Sequence, residues 1–319
     1  MSYPIELLDR VTDIQTIKPK IPVKLTRVGV KNLKLNLQIT SRRGILSLIP
    51  MIDLFVDLPS DKRGVHLSRD PELMHEILLE EMDTKTNRVE DFCENIAYRL
   101  LDKHTYSNRA EVRLRSDYIT INKSPQGKTS QEPCKILASV TAVRKNSNIV
   151  VNRTVGVSVV GFTACPCTQN LLQALAEDRL RKLEYEEADV KKIVKNMPLA
   201  THTQRTTGTI IMQVPKEFSL DVEDLVEIIG ASMSGQTHAV LKRPSEASVV
   251  IEAHKKTRFT EDVVREMLRT LAKKYSNFPS DTRIIVQAHS LESVHKHDII
   301  AERVATLEEI LNEINTNSS

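Results

Sequence analysis

Several short runs in this chain combine residue types that could carry chemistry. The run Gly161-Phe162-Thr163-Ala164-Cys165-Pro166-Cys167-Thr168-Gln169-Asn170 reads as the end of a strand and the opening of a helix, with Thr168 as the expected N-cap. A thiol just before a helix N-terminus has its thiolate stabilised by the free N–H groups and dipole there, which makes it a nucleophile or a soft metal ligand. The plainer alternative is a pair of small buried residues at a tight turn. The spacing of Cys165 and Cys167 does not match the two-residue gaps of a structural zinc site. In Thr201-His202-Thr203-Gln204-Arg205, strand alternation puts His202 and Gln204 on one face and Arg205 on the other. In Val294-His295-Lys296-His297-Asp298, an extended backbone would project His295 and His297 to one side. Two such imidazoles can share a cation, or one can ligate while the other moves protons, and Glu292 or Asp298 could orient a ring. A solvated polar turn is the competing reading.

Two basic runs could meet phosphate. Leu241-Lys242-Arg243-Pro244-Ser245-Glu246 reads as a surface proline turn with adjacent cations, and its Glu246 could serve as an oxygen ligand or base. Asp61-Lys62-Arg63-Gly64-Val65-His66-Leu67-Ser68-Arg69 is a Gly-containing loop with three cations, a histidine and a serine before a helix, a composition that suits an anion. Most charged loops bind nothing, so each signal is weak alone. Together, mixed Cys, His and Glu donors with two basic loops point to metal-assisted hydrolysis of a phosphorylated small molecule.

These runs must be positioned by regular elements. Alternation predicts strands at 23–28, 33–38 and 45–58, then helices at 71–82 and 88–103. Strands follow at 110–120, 135–145 and 149–162, with a hairpin loop over 122–133. The second half predicts helices at 168–183, 220–232, 260–274 and 306–314, with strands at 201–214 and 283–289. Both halves read as antiparallel strand pairs carrying helices on one face, an α+β class with modules 1–158 and 159–319.

The 319 residues suffice for a sizeable core, which the absence of Trp and the scarcity of Phe leave to Leu, Ile and Val. A net charge of +3 with mixed signs gives no case for nucleic acid or an anionic membrane as partner. No signal pattern and no membrane-length apolar run is visible, so a soluble, cytoplasmic protein is expected. The four cysteines do not form a disulfide framework, and Cys93 and Cys134 read as small buried residues.

The chain resembles the type IB GTP cyclohydrolases, and their archaeal branch in particular. The resemblance is carried, in order, by Arg63 to Arg69, the Cys165-Pro166-Cys167 run, His202 to Arg205, Leu241 to Glu246, Phe259-Thr260-Glu261-Asp262-Val263-Val264-Arg265, and Glu292-Ser293-Val294-His295-Lys296-His297. It implies a tunnelling fold, two modules of antiparallel sheet with helices on one face, assembled into barrels as a dimer or tetramer with sites between chains. It implies metal ligands Cys167, His202 and Glu246, with His295 and His297 completing or serving the site, and Cys165, Cys167, His295 and His297 in catalytic roles. Glu261 would anchor the guanine edge, and Lys242, Arg243, Arg63, His66, Arg69, Gln204 and Arg205 would meet the rest of the substrate. The implied cofactor is Fe(II), with Zn or Mn accepted by relatives, and the implied substrate is GTP. The implied product is 7,8-dihydroneopterin 2′,3′-cyclic phosphate in the archaeal type and the triphosphate in the bacterial type. A nitrile reductase of the same fold, a nucleotide-binding regulator and a dithiol redox protein are the competing readings.

Overall fold

In the computed structural model, residues 12–41, 44–67, 70–74, 76, 88–123, 127, 129–146 and 148–316 are described. The chain forms two compact units, one from Met1–Ser116 with Leu137–Thr154, the other from Asp117–Ile136 with Val155–Ser319. The expected modules meet at Ser158, inside one of the long strands.

In the first unit, β1 (Leu25–Lys34) is followed by the hairpin β2 (Leu37–Ser41) and β3 (Gly44–Leu48), then by β4 (Met51–Leu58). The single strand expected over 45–58 is broken between Leu48 and Met51. Pro50 lies in that break and has no N–H to give a ladder. Likewise, the strands expected at 23–28 and 33–38 resolve as β1 and β2, and β1 pairs antiparallel with β4 from Leu25–Leu58 to Lys34–Met51. Residues 70–74 are helical, and the rest of the helix expected to 82 lies almost wholly outside the described residues. The helix α1 (Val89–Lys103) buries Phe92, Cys93, Ile96, Ala97, Leu100 and Leu101 completely, the spacing of a core-facing stripe. Three long strands follow: β5 (Arg109–Lys123), β6 (Thr129–Lys145) and β7 (Asn148–Ala164). Part of the loop expected over 122–133 is therefore strand. Ile52, Leu54, Ala110, Val112 and Leu114 supply the inward face. The carboxylate of Glu111 alternates onto the other face and is bonded by Arg27 (2.7 Å), Arg109 (3.0 Å) and Arg113 (2.7 Å). Burial raises its pKa, but the three guanidinium groups outweigh that and hold it at about 2.

In the second unit, the order after β7 is α2 (Pro166–Lys182), α3 (Glu187–Asn196), β8 (Thr203–Gln213), α4 (Val222–Ser232), the two-residue β9 (Gly235–Gln236), α5 (Arg243–Lys255), α6 (Thr260–Lys274), β10 (Arg283–Leu291), β11 (Ile299–Thr306) and α7 (Leu307–Thr316). The strand order is β7-β8-β10-β11, with β9 on β7. Buried Ile210, Met212, Ile284, Val286 and Ala288 face Val263, Met267 and Leu271 of α6 and Leu225 and Ile229 of α4. Gly208 lets α4 lie close, since a Cβ there would stand 2.6 Å from Ile229. Four elements were not expected: α3, β9, α5 and β11. The basic run Leu241 to Glu246 is not a free surface turn. It opens α5, with Pro244 in the first turn, where its missing N–H costs nothing. Cys134 is buried within β6, as expected of a small buried residue, and burial pushes its thiol up to about 12. Among the described residues, no helix is long and apolar enough to cross a membrane.

Candidate active site

The second unit gathers three of the sequence motifs at one corner, where β7 ends, β8 begins and β10 ends. The N-cap of α2 is Cys165, not Thr168, because Pro166 already stands in the first helical turn. The Cys165 N–H donates to the His202 carbonyl at 3.1 Å, and its thiol lies 3.7 Å from the Thr168 hydroxyl. Cys165 is half-buried, whereas Cys167 is exposed on the first turn of α2. His202 and Gln204 share a face as alternation requires, with Nδ1 of His202 3.1 Å from Gln204 Oε1. Arg205 is exposed on the opposite face.

The floor of this corner is a chain of hydroxyls that sequence reasoning missed. Thr163 of β7 is 3.0 Å from Thr206 of β8, which is 3.0 Å from Ser290 of β10, and none of the three is solvent-accessible. Each lies two residues from a site position: Thr163 from Cys165, Thr206 from Gln204, and Ser290 from Glu292. The signal was available as small hydroxylated residues at inward positions of three strands, where apolar residues were the default. Ser293 places its hydroxyl 3.5 Å from His202 Nδ1. One carboxylate oxygen of Glu292 is buried without a hydrogen-bond partner, and a cation or a protonated ring would satisfy it.

Residues 293–297 form a bend between β10 and β11, not an extended segment. The bend still brings His295 and His297 together, their rings stacked at 5.2 Å with 17° between planes, and both are exposed. Asp298 orients neither of them. It pairs with His289 at 3.0 Å, a histidine that sequence reasoning passed over.

The corner is tied down from behind. Gln169 of α2 donates to the carbonyls of Leu199 (3.1 Å) and His254 (2.7 Å) and accepts from Thr257 (3.3 Å). His254 of α5 sets Nε2 3.1 Å from the Thr201 carbonyl and Nδ1 2.7 Å from that of Val250. The Arg258 N–H donates to Ala164 at 3.0 Å, one residue before Cys165. Its guanidinium and the Lys256 ammonium hold the last carbonyls of α4, Ser232 and Ala231.

Other expected site residues lie elsewhere. Lys242, Arg243 and Glu246 are exposed at the start of α5. Glu246 is eight residues from His254, about 12 Å along the helix axis at ~1.5 Å per residue. Glu261 is exposed in the first turn of α6. Arg63 and His66 belong to the first unit, where the Arg63 N–H donates to Gln15 (3.1 Å) and His66 pairs with Asp13 (2.6 Å). Arg69 lies outside the described residues. Among the described residues of one chain, no three His, Cys, Asp or Glu side chains converge to hold a metal. The donor types nevertheless suit one, since a thiol and an imidazole stand on bonded backbone segments and Glu292 has a buried carboxylate oxygen without a partner.

The architecture is that of the tunnelling fold. A uricase from Bacillus fastidious superposes with a TM-score of 0.51 at 7% identity, covering 91% of this chain and 96% of that one. A hyperthermostable mutant urate oxidase from Bacillus sp. TB-90 gives 0.51 at 10% identity, covering 89% and 99%. At such identities the likeness concerns the fold alone.

The chain belongs to the type I GTP cyclohydrolase folE2 family, whose model matches residues 11–301. Within it the chain falls with the archaeal MptA-like branch. It is 41% identical over 305 residues to GTP cyclohydrolase MptA of Methanocaldococcus jannaschii, covering 95% of this chain and 97% of that protein. It is 39% identical over 306 residues to the Methanobrevibacter smithii protein of the same name, covering 95% and 97%.

Proposed function

We propose that this protein is a GTP cyclohydrolase that opens the guanine imidazole ring, releases C8 as formate and forms a dihydroneopterin product for pterin biosynthesis. The observation that carries this is the corner of the second unit, where Cys165, His202 and the Glu292–His297 segment, three ordered motifs of the family, meet through backbone and side-chain bonds.

The cofactor in this reading is Fe(II), with Zn or Mn as substitutes. His202 and a thiol of the Cys165/Cys167 pair hold it together with Glu246, and His295 lies nearest among the paired imidazoles. When bound, it supplies an acidified water at neutral pH. Of the two thiols, the exposed Cys167 on the first turn of α2 is the ligand in this reading, and the half-buried Cys165, whose N–H is bonded to the His202 carbonyl, serves the chemistry beside it. Glu261 accepts the N–H groups of the guanine edge. Lys242 and Arg243, with Arg63, His66 and Arg69, meet the phosphates. Gln204 holds the His202 ring, and Arg205 faces the substrate from a neighbouring copy. His297 moves protons as the ring opens and the ribose rearranges.

A homo-oligomer, dimer or tetramer, completes the site in this reading, because one chain leaves Glu246 far along α5 from the His254 end that braces His202. The product of this branch is the 2′,3′-cyclic phosphate with release of pyrophosphate. Anaerobic incubation with GTP and Fe(II), followed by mass analysis, tests this. A cyclic phosphate is expected; a triphosphate product would reassign the branch, and unchanged GTP would refute the activity.

A further inference from the structure

The helix pair α2–α3 joins β7 to β8 and adds little to the core: α2 buries no residue, and α3 buries only Val190 and Val194. The pair instead walls a cleft of about 770 Å³ together with the C-terminal turns of α5, all within the second unit. That volume falls in the range of small-molecule sites, about 300–1,000 Å³. Cys167, His202 and Glu246 do not line it. We infer that this cleft is a second binding site, separate from the proposed active site, for a phosphorylated planar heterocycle of the nucleotide class.

Charge argues for the phosphate. Lys191 and Lys195, one turn apart on α3, and Lys255 of α5 stand round the cleft, and Glu177 of α2 is the one carboxylate among its described lining residues. Glu177 is already bonded by Arg181 at 3.0 Å. Among the described residues Lys195 has no carboxylate partner. Lys191 reaches Glu187 only at 3.7 Å, beyond hydrogen-bond length, and Arg181 holds that carboxylate at 2.8 Å. Lys255 pairs with Glu252 at 2.7 Å, but both side chains are exposed, and such surface pairs contribute little. Three ammonium groups are therefore available to a polyanion, with little to give up in meeting it.

The rest of the lining argues for a flat body on that phosphate. Val194, Leu199 and Ile251 give the cleft an apolar wall, and Gln173 adds an amide that both donates and accepts. The cleft also touches the braces of the active-site corner. Gln169 and His254 line it, and they are bonded to the Leu199 and Thr201 carbonyls, in the segment that leads into His202. An occupant would stiffen that segment without meeting the metal donors.

The test titrates the full-length, metal-loaded protein with ATP and with inorganic pyrophosphate by calorimetry, beside hydrogen exchange. ATP offers phosphates and a planar base but not the guanine edge, so its binding does not depend on the cyclohydrolase reading. It should bind the wild type saturably and slow amide exchange across residues 199–202. Lys195→Gln with Lys255→Gln should weaken ATP binding about 10- to 100-fold and leave GTP turnover measured without ATP within about twofold. Ile251→Asp, at an exposed helix position, sets a carboxylate in the apolar wall and should also weaken ATP binding while the unfolding midpoint stays near wild type. The inference is overturned if ATP does not bind, or if the double lysine variant and Ile251→Asp both bind it as tightly as wild type. If pyrophosphate binds as tightly as ATP and both fall alike in the lysine variant, the flat body plays no part and the nucleotide class is wrong. Absence of formate release from GTP would sink the cyclohydrolase reading alone and leave the ATP isotherms to decide the cleft.

Discussion

His202 sits at the crossing of nearly every bond that defines the corner: its carbonyl takes the Cys165 N–H, and its ring meets Gln204 and Ser293. Replacing it with Ala should remove metal and turnover together, lowering activity by about 100-fold or more, since even outer-shell changes cost 10–100-fold. Metal analysis beside a rate measurement checks this, and full occupancy in the variant would exclude His202 as a ligand. The stacked pair His295 and His297 should separate under the same assays. His295→Ala should lose metal, while His297→Ala should keep it and lose about 10²–10⁴-fold in single-turnover rate with an altered pH profile. A His297 variant with normal turnover would remove that residue from the chemistry.

At the scale of elements, the corner depends on ties that carry no chemistry. Gln169 holds the 199–201 turn, α5 and the 257–258 segment at once, so Gln169→Ala should destabilise the unit by about 1–3 kcal/mol, measured by denaturant unfolding. The first unit has its own electrostatic signature. The Glu111 pKa is depressed from 4.5 to about 2, so its contribution is full above pH 4.5 and is lost as pH falls toward 2. Glu111→Gln should flatten the acid limb of thermal stability in that window, and an unchanged limb would show that the arginines find other partners. The sequence made the long alternating strands and α1, α4, α6 and α7 legible, because alternation and helical stripes record burial directly; α2, which buries no residue, was legible instead from the strand end before it and the proline at its start. It hid α5 because Lys242-Arg243-Pro244 looks like a turn, although a first-turn proline is equally a helix start. It hid β11 because its face is largely exposed, and α3 because its apolar stripe, Val190, Ile193 and Val194, spans little more than one turn. Of the site, the shared face of His202 and Gln204 could be read from spacing, whereas His295 and His297 meet on a bend and not on the extended segment their spacing implied. Thr163, Thr206 and Ser290 were visible only as small residues at inward strand positions; that they bond to one another, and that Arg258 bonds to Ala164, could not be read, because these contacts join residues tens of positions apart.

At the scale of the whole molecule, the proposed reading draws the site from more than one chain. Mixing His202→Ala with Glu246→Ala subunits, unfolding and refolding them together, should restore roughly a quarter of the wild-type rate, as random pairing in a two-fold dimer rebuilds one native site in half of the dimers. No recovery, with mixed oligomers confirmed by mass, would place both residues in one chain's site. The central claim, that this chain removes C8 of GTP, is tested most directly with GTP labelled at C8. The protein with Fe(II), kept free of oxygen, should release the label as formate, one per GTP consumed, and chelation should stop the release. Label retained in the purine or pterin product while GTP is consumed would contradict the account.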